Sequence, residues 1–510
     1  MKKAAAFIMA VALCVALFTL ISNVAGNGEM PVFAAGSIGS SNPANSRKNE
    51  FVIVCNPYEG RLNPLWPQGE VDSAITRLIF DPLVDTAADG SPVPCLADYE
   101  VSADGLTYTF TIKKNAVFSD KTHVTTEDIA FTWNVIRDIS YDGICDLSDI
   151  VSVNIVDART IKVTLKAPRA SAVFDLGVPP LSKAYYGQSY TEGQLDYVRL
   201  QLSRPLGCGQ YSVGTYGMDS MTLARCENYY IGKPKYETVT FKVSGDGAAL
   251  MQSGAADVDL TGAAAAATHI ENRTFFSDSI GILGFNASDS ALADPVVRRA
   301  ISMCIDRQAL IDTGLSGLGL PLDIPVTLAS WITGGDLVNP FDPAGAHNLL
   351  TDAGHGNLTL TYVETMGNPA SAALGELLKE SFDLAGITLK IEKLDYGSLL
   401  KRVELGRCQL WFMGWGTSLN PSPKDLIATD GAYNLFGYSN NIADKLLAEM
   451  ELGTAAERKN VGDRLWQELA INPPFAVLYQ GQRQIAVNVR AAALVFSPLR
   501  QFTADIYSLT

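Results

Sequence analysis

Apolar and polar positions alternate along this chain with a period that switches repeatedly between two and roughly three and a half. "FVIVC" at 51–55 reads as a short buried strand, followed by the turn-rich "NPYEGRLNPLWPQGEVDS" and a helical pattern over residues 73–80. Behind an Asp104-Gly105 turn, Leu106, Tyr108, Phe110 and Ile112 alternate with threonines, which predicts a half-buried hairpin strand. "TTEDIAFTWNVIRD" changes to helical spacing. Thr125 or Thr126 stands at its N-cap, acidic residues occupy its first turn, and Ile129, Trp133 and Ile136 share one face. "VSVNIVDARTIKVTLKAP" predicts a second hairpin turning at Asp157-Ala158.

Further along, "ETVTFKV" is a strand, and "DPVVRRAISMCIDRQALID" is a helix with Pro295 in its first turn and Val296, Ile301, Ile305 and Leu310 on its buried side. "NLTLTYVE", "PASAALGELLKESFDLAG" and "ITLKIEKLD" form a strand–helix–strand unit, which the helix "YGSLLKRVELG" and the strand "CQLWFMGW" extend. Hairpins mixed with such units predict α/β domains with open sheets. No stretch repeats at the periods of solenoid folds.

Composition adds bounds to this pattern. With 510 residues, 47% of them hydrophobic and 18% charged, the chain is globular and long enough for two or three domains. Its net charge is −15 and it has no basic run, which argues against nucleic acid as a partner, because phosphate binding needs clustered positive charge. At the N-terminus Lys2 and Lys3 precede an apolar stretch from Ala4 to Ile21 and small-residue cleavage sites. This reads as a secretory signal over residues 1–35, cleaved near 25 or 34, with an uncleaved membrane anchor as the alternative. Residues 36–50, "GSIGSSNPANSRKNE", read as a flexible linker.

Candidate chemistry is sparse. The four histidines, His123, His269, His347 and His355, form no metal-binding motif, and neither a phosphate-binding glycine loop nor a nucleophile elbow occurs. Catalytic residues, metals and cofactors are therefore not expected, and binding without chemistry leads over a hydrolase. Cys208 and Cys226 flank a hairpin turning near Gly217, which leaves open a cross-strand disulfide or two buried thiols.

Several blocks, in order, resemble the solute-binding proteins of ABC importers, specifically the peptide and nickel binding family. They are "RLNPLW", "LIFDPLVDTAADGSPVPCLADYEVSADGLTYTFTIKKNAVFSDKTHVTTEDIAFTW", "GCGQYSV", "ENYYIGKPKYETVTFKV", "FNASDSALADPVVRRAISMCIDRQALI", "NLFGYSNNIADKLLAEM" and "RLWQELAINPPFAVLYQ". The resemblance implies a two-lobed type II periplasmic-binding-protein-like fold with an extra α/β domain in the first lobe. The first lobe would comprise 51–80, 186–285 and 485–510, the extra domain 81–185, and the second lobe 286–484. It also implies an extracytoplasmic, monomeric receptor that encloses an oligopeptide or peptide-like solute and hands it to a membrane permease and its ATPase. An oligosaccharide, an opine or a nickel chelate is the alternative solute.

The resemblance carries ligand-binding roles onto Gly414, Trp415, Gly416 and Ser418 in "WFMGWGTSLNP", onto Trp66, Gly69 and Glu70 in "WPQGEVDS", and onto Tyr438. Peptide-binding relatives place an aspartate where Ser418 stands. A serine offers a hydrogen bond and no charge to a free amino terminus, which turns attention to Glu70 and Asp72. Surface solvation is the alternative reading for these two acids, and interior packing is the alternative for Trp66 and Trp415.

Overall fold

The computed structural model describes residues 42–65, 69–139, 147–169, 171–190, 204–330, 339–416, 422–452 and 455–509. The described chain divides into two compact units: residues up to Phe275 together with those from Gln484 onward, and Phe276–Arg483. The signal segment lies outside the described residues. Among those described, no helix is long and apolar enough to cross a membrane.

In the first unit, β1 (Glu50–Cys55) runs parallel to β10 (Thr238–Val243) on one side and β11 (Val258–Asp259) on the other. An antiparallel hairpin, β8 (Tyr211–Thr215) and β9 (Ser220–Arg225), continues the sheet beyond β10, and the end of β17 (Phe475–Asn488) pairs with β11. Helix α1 (Gly69–Ile79) follows β1. A two-stranded ribbon comprises β2 (Val84–Thr86) and β3 (Pro92–Pro94). A separate four-stranded antiparallel sheet has the order β4 (Ala97–Val101), β5 (Thr107–Ile112), β7 (Thr160–Leu165), β6 (Ile150–Ile155). In β5 the expected alternation appears, with Tyr108, Phe110 and Ile112 buried between half-buried threonines. Helix α2 (Thr126–Ile139) covers this sheet, and Trp133 packs edge-on against Phe110 while its indole N–H donates to the Leu176 carbonyl at 3.0 Å. At its start the backbone N–H and hydroxyl of Thr125 both donate to the Asp128 carboxylate at 2.8 Å, which is one half of a capping box.

Residues 42–49 differ from the expected linker. A single 3-10 turn, Pro43–Ser46, is capped by Asn42 and docks on the first unit with Ala44 fully buried. The docking has an ionic cause: Arg47 and Arg490 both bind the carboxylate of Asp257, which is inaccessible to solvent and also accepts the Val52 N–H at 2.7 Å. Arg490 additionally donates to the carbonyls of Ala44, Arg47 and Glu50.

The second unit is built on one sheet. Its order is β15 (Ile387–Leu394), β14 (Leu358–Thr365), β16 (Leu410–Gly416), β12 (Ile270–Phe285), β17, with the short β13 (Gly319–Pro321) against β17. Strands β12 and β17 each run from one unit into the other along the chain. Helices α3 (Pro295–Met303), α4 (Arg307–Gly314), α5 (Pro369–Ala385), α6 (Asn441–Met450) and α7 (Ala455–Ile471) belong to this unit. Asp294 caps α3 ahead of Pro295, and Asn368 caps α5 ahead of Pro369, so both helices start where local chemistry supplies an acceptor for an unpaired N–H.

Both faces of this sheet are covered. Trp411 and Met413 of β16 enter one apolar cluster with Ile280 and Ile282, whereas Leu410 and Phe412 enter the cluster on the other face with Leu283 and Phe285. A strand buried on both faces needs no polar alternation, which accounts for the unbroken apolar run of "LWFMGW".

Candidate ligand-binding site

In the second unit the site centres on the end of β16. Gly416 pairs with Ser279, Trp415 with Ile280 and Gly414 with Gly281 in the antiparallel ladder to β12, while the parallel pairing with β14 spans Leu410 and Trp411. Exposure rises along these three residues, from buried Gly414 through half-buried Trp415 to exposed Gly416. Trp415 shares a face with Trp411 and Met413, packs on their apolar cluster, and meets the Tyr433 ring edge-on at 5.5 Å.

The glycines here have different causes. Opposite Gly414, a Cβ on Gly281 would lie 2.5 Å from the Tyr479 ring, so tight packing requires glycine at 281. Gly416 has no such cause. Its φ is not positive, and among the described residues nothing lies within 4 Å of where its Cβ would be. Among the described residues, then, the packing at Gly416 does not require glycine, and Trp415 stands next to it.

Tyr438 lies in the same apolar cluster and is buried, with its hydroxyl donating to the Asn472 carbonyl and accepting from the Asn440 amide, both at 2.9 Å. Burial pushes its phenol up to about 12. Ser418 and Trp66 lie outside the described residues.

In the first unit, Gly69 opens α1 with a φ of 79°, a left-handed conformation that suits glycine, and Glu70 is half-buried in the first turn. The helix begins four residues ahead of the sequence expectation of 73. Asp72 is not a solvated acid. It is fully buried, and its carboxylate accepts the N–H groups of Gly60 at 2.9 Å and Arg61 at 3.4 Å. Burial pushes its pKa up to about 6, although these backbone hydrogen bonds pull it down. The same loop is fixed to the β8–β9 turn, with Tyr216 donating to the Gly60 carbonyl at 2.9 Å and Tyr58 to the Gly217 carbonyl at 2.5 Å. The sequence does carry a signal for this role, because Asp72 stands three and seven residues before Ile75 and Ile79, on the face they bury.

The remaining chemical candidates go elsewhere. Nδ1 of His347 faces the Ala385 carbonyl and Nε2 of His355 faces Asp294, so the two histidines have separate partners. Cys208 and Cys226 are both free thiols, the Cys208 thiol donating to the Asp81 carbonyl at 3.6 Å.

Two α/β units joined by crossing strands define a protein of the periplasmic-binding class. The architecture aligns with a solved structure, the ABC transporter substrate binding protein CtaP from Listeria monocytogenes, with a TM-score of 0.76 at 21% identity over 90% of this chain and 98% of that one. Residues 91–435 match the model of the bacterial extracellular solute-binding proteins, family 5 middle region, and the chain belongs to that family. Among curated relatives it is 22% identical to the oligopeptide-binding protein AppA of Bacillus subtilis, over all of this chain and 98% of AppA. It is 26% identical to the dipeptide-binding protein of Escherichia coli, over 73% of this chain and 76% of that protein. This is a family of solute-binding proteins, not of enzymes.

Proposed function

We propose that this protein is the extracytoplasmic solute receptor of an ABC importer and that its solute is an oligopeptide or peptide-like compound, delivered to a membrane permease without chemical change. The end of β16 carries this reading. A strand terminus with Trp415 on one face and, among the described residues, no atom within 4 Å of where a Cβ on Gly416 would lie suits an extended main chain laid beside it, where backbone hydrogen bonds give affinity and an aromatic wall gives shape. The peptide-binding names of two curated relatives support the solute class. Gly414, Trp415, Gly416 and Ser418, with Trp66, Gly69, Glu70 and Tyr438, are the proposed ligand-binding residues. The two lobes, the extra domain over 81–185 and the signal segment over 1–35 belong to the same reading, as do the permease partner and a periplasmic or outer-face location.

The stretch 411–421 contains no carboxylate, which favours solutes that do not depend on a charged amino terminus. Thermal shift with a library of dipeptides to nonapeptides, each free and N-acetylated, tests both parts, because a solute that binds only the folded state raises the midpoint. The expected result is a rise with peptides that acetylation does not abolish. Equal midpoints across the peptides, with a rise for cello-oligosaccharides or nickel chelates, would transfer the role to those solutes.

A further inference from the structure

We propose that Asp72 is a proton-operated latch between the loop after β1 and helix α1. The described part of that loop, residues 56–65, has three kinds of anchor. Leu62 and Leu65 are buried, Tyr58 and Tyr216 tie it to the β8–β9 turn, and the Asp72 carboxylate takes the N–H groups of Gly60 and Arg61. Only the last anchor can change with protonation near neutral pH. The carboxyl is wholly withdrawn from solvent and no cation bonds it among the described residues.

Apart from the loop's own N–H groups, the described elements packed against it present groups that disfavour its charge. The loop places Glu59 near it, and Glu59 itself pairs with Arg61 at 3.0 Å on the exposed side. Strand β1 contributes the buried Cys55 thiol, which the Asp259 and Asp72 carboxylates together push up to about 12 along with the larger effect of burial. The loop and hairpin add the phenols of Tyr58 and Tyr216, with Asp219 beyond. Asp259, at the end of β11, is also fully buried; one of its oxygens has no hydrogen-bond partner, and burial raises its pKa as well.

The direction of the effect follows from burial. Desolvation lifts Asp72 from 3.8 to about 6 in the closed junction, and wetting the carboxyl by local opening returns it to its ordinary value. Opening then releases a proton, so the latch is fully shut below that ordinary value and loosens as pH rises through about 6. Because the loop leads on to Gly69 and Glu70, its consequence for solute capture rests on the function proposed above.

Hydrogen exchange without solute tests the latch itself. It is followed in a peptide covering 59–62, corrected for intrinsic exchange and referred to the β10 peptide 238–243 of the same unit. Protection at 59–62 is expected to fall about tenfold between about pH 4.5 and 7. Asp72→Asn should flatten this profile, whereas Glu59→Gln and Asp259→Asn should keep it. Protection that is constant or rises with pH in the unaltered protein, or a profile abolished by Asp259→Asn, would overturn the proposal. Should Asp72→Asn not fold, the unaltered protein and the other two variants still decide it. Failure here leaves the solute reading standing, since no solute is present.

Discussion

Gly281 and Gly416 lie near each other in the β12–β16 ladder and differ in what surrounds them: a tyrosine ring is pressed against one, and no described residue lies within 4 Å of where a Cβ on the other would be. Gly281→Ala should destabilise the fold by about 1 to 3 kcal/mol, the usual cost of overpacking, readable in urea denaturation. Gly416→Ala should leave that denaturation midpoint unchanged and weaken peptide capture, read as a smaller solute-induced thermal shift. Equal stability losses in the two variants would contradict the distinction. The cysteines show a second residue-scale consequence. Burial pushes the thiols of Cys55, Cys95 and Cys304 up to about 12 and that of Cys226 to about 11, and only the thiolate attacks electrophiles. An aromatic disulfide reagent at about pH 8 should therefore modify these four slowly in the native protein and rapidly in denaturant.

Elements whose start is fixed by adjacent residues were legible in the sequence. Pro295 behind Asp294, Thr125 three residues before Asp128, and the alternation Tyr108, Phe110, Ile112 each act within a few positions, so the pattern alone places them. Elements fixed from far away were not. The 3-10 turn at Pro43–Ser46 has the composition of a tether, and residues distant in sequence, Asp257, Arg490, Asn488 and Gly254, hold it in place. The apolar pattern starts helix α1 late, because its first turn is polar and Asp72 has the look of a surface acid apart from the loop that it serves. The strand end at Gly414 to Gly416 was readable from its glycines, whereas the burial of Tyr438 among Asn440 and Asn472 depends on how α6 and the chain after α7 come together. Asp257→Ala should cost roughly 3 to 5 kcal/mol in denaturant unfolding, since it leaves Arg47 and Arg490 without their shared carboxylate. Arg47→Ala should cost less, because Arg490 keeps the carboxylate company.

At the scale of the molecule, the family resemblance made the fold legible, because ordered turn and cap motifs recur across most of the chain; the identity of the solute is less so, because it depends on a few side chains around one strand end. The second unit is one uninterrupted stretch, Phe276–Arg483, and the first is not. Residues 276–483 produced alone should therefore give a cooperative thermal transition by circular dichroism, and residues 42–275 alone should not. An isolated 276–483 fragment without such a transition would show that the units depend on each other for folding.

This discontinuity gives synthesis a fixed order. A chain made from its N-terminus presents Arg47 and Asp257 early, but Arg490 and the last residues of β17 emerge only after the whole second unit has been made. The first unit must wait with one arginine on its buried carboxylate and a gap beside β11, to be closed by a segment that follows the whole second unit in sequence. Truncation near the C-terminus should thus unfold the beginning of the protein.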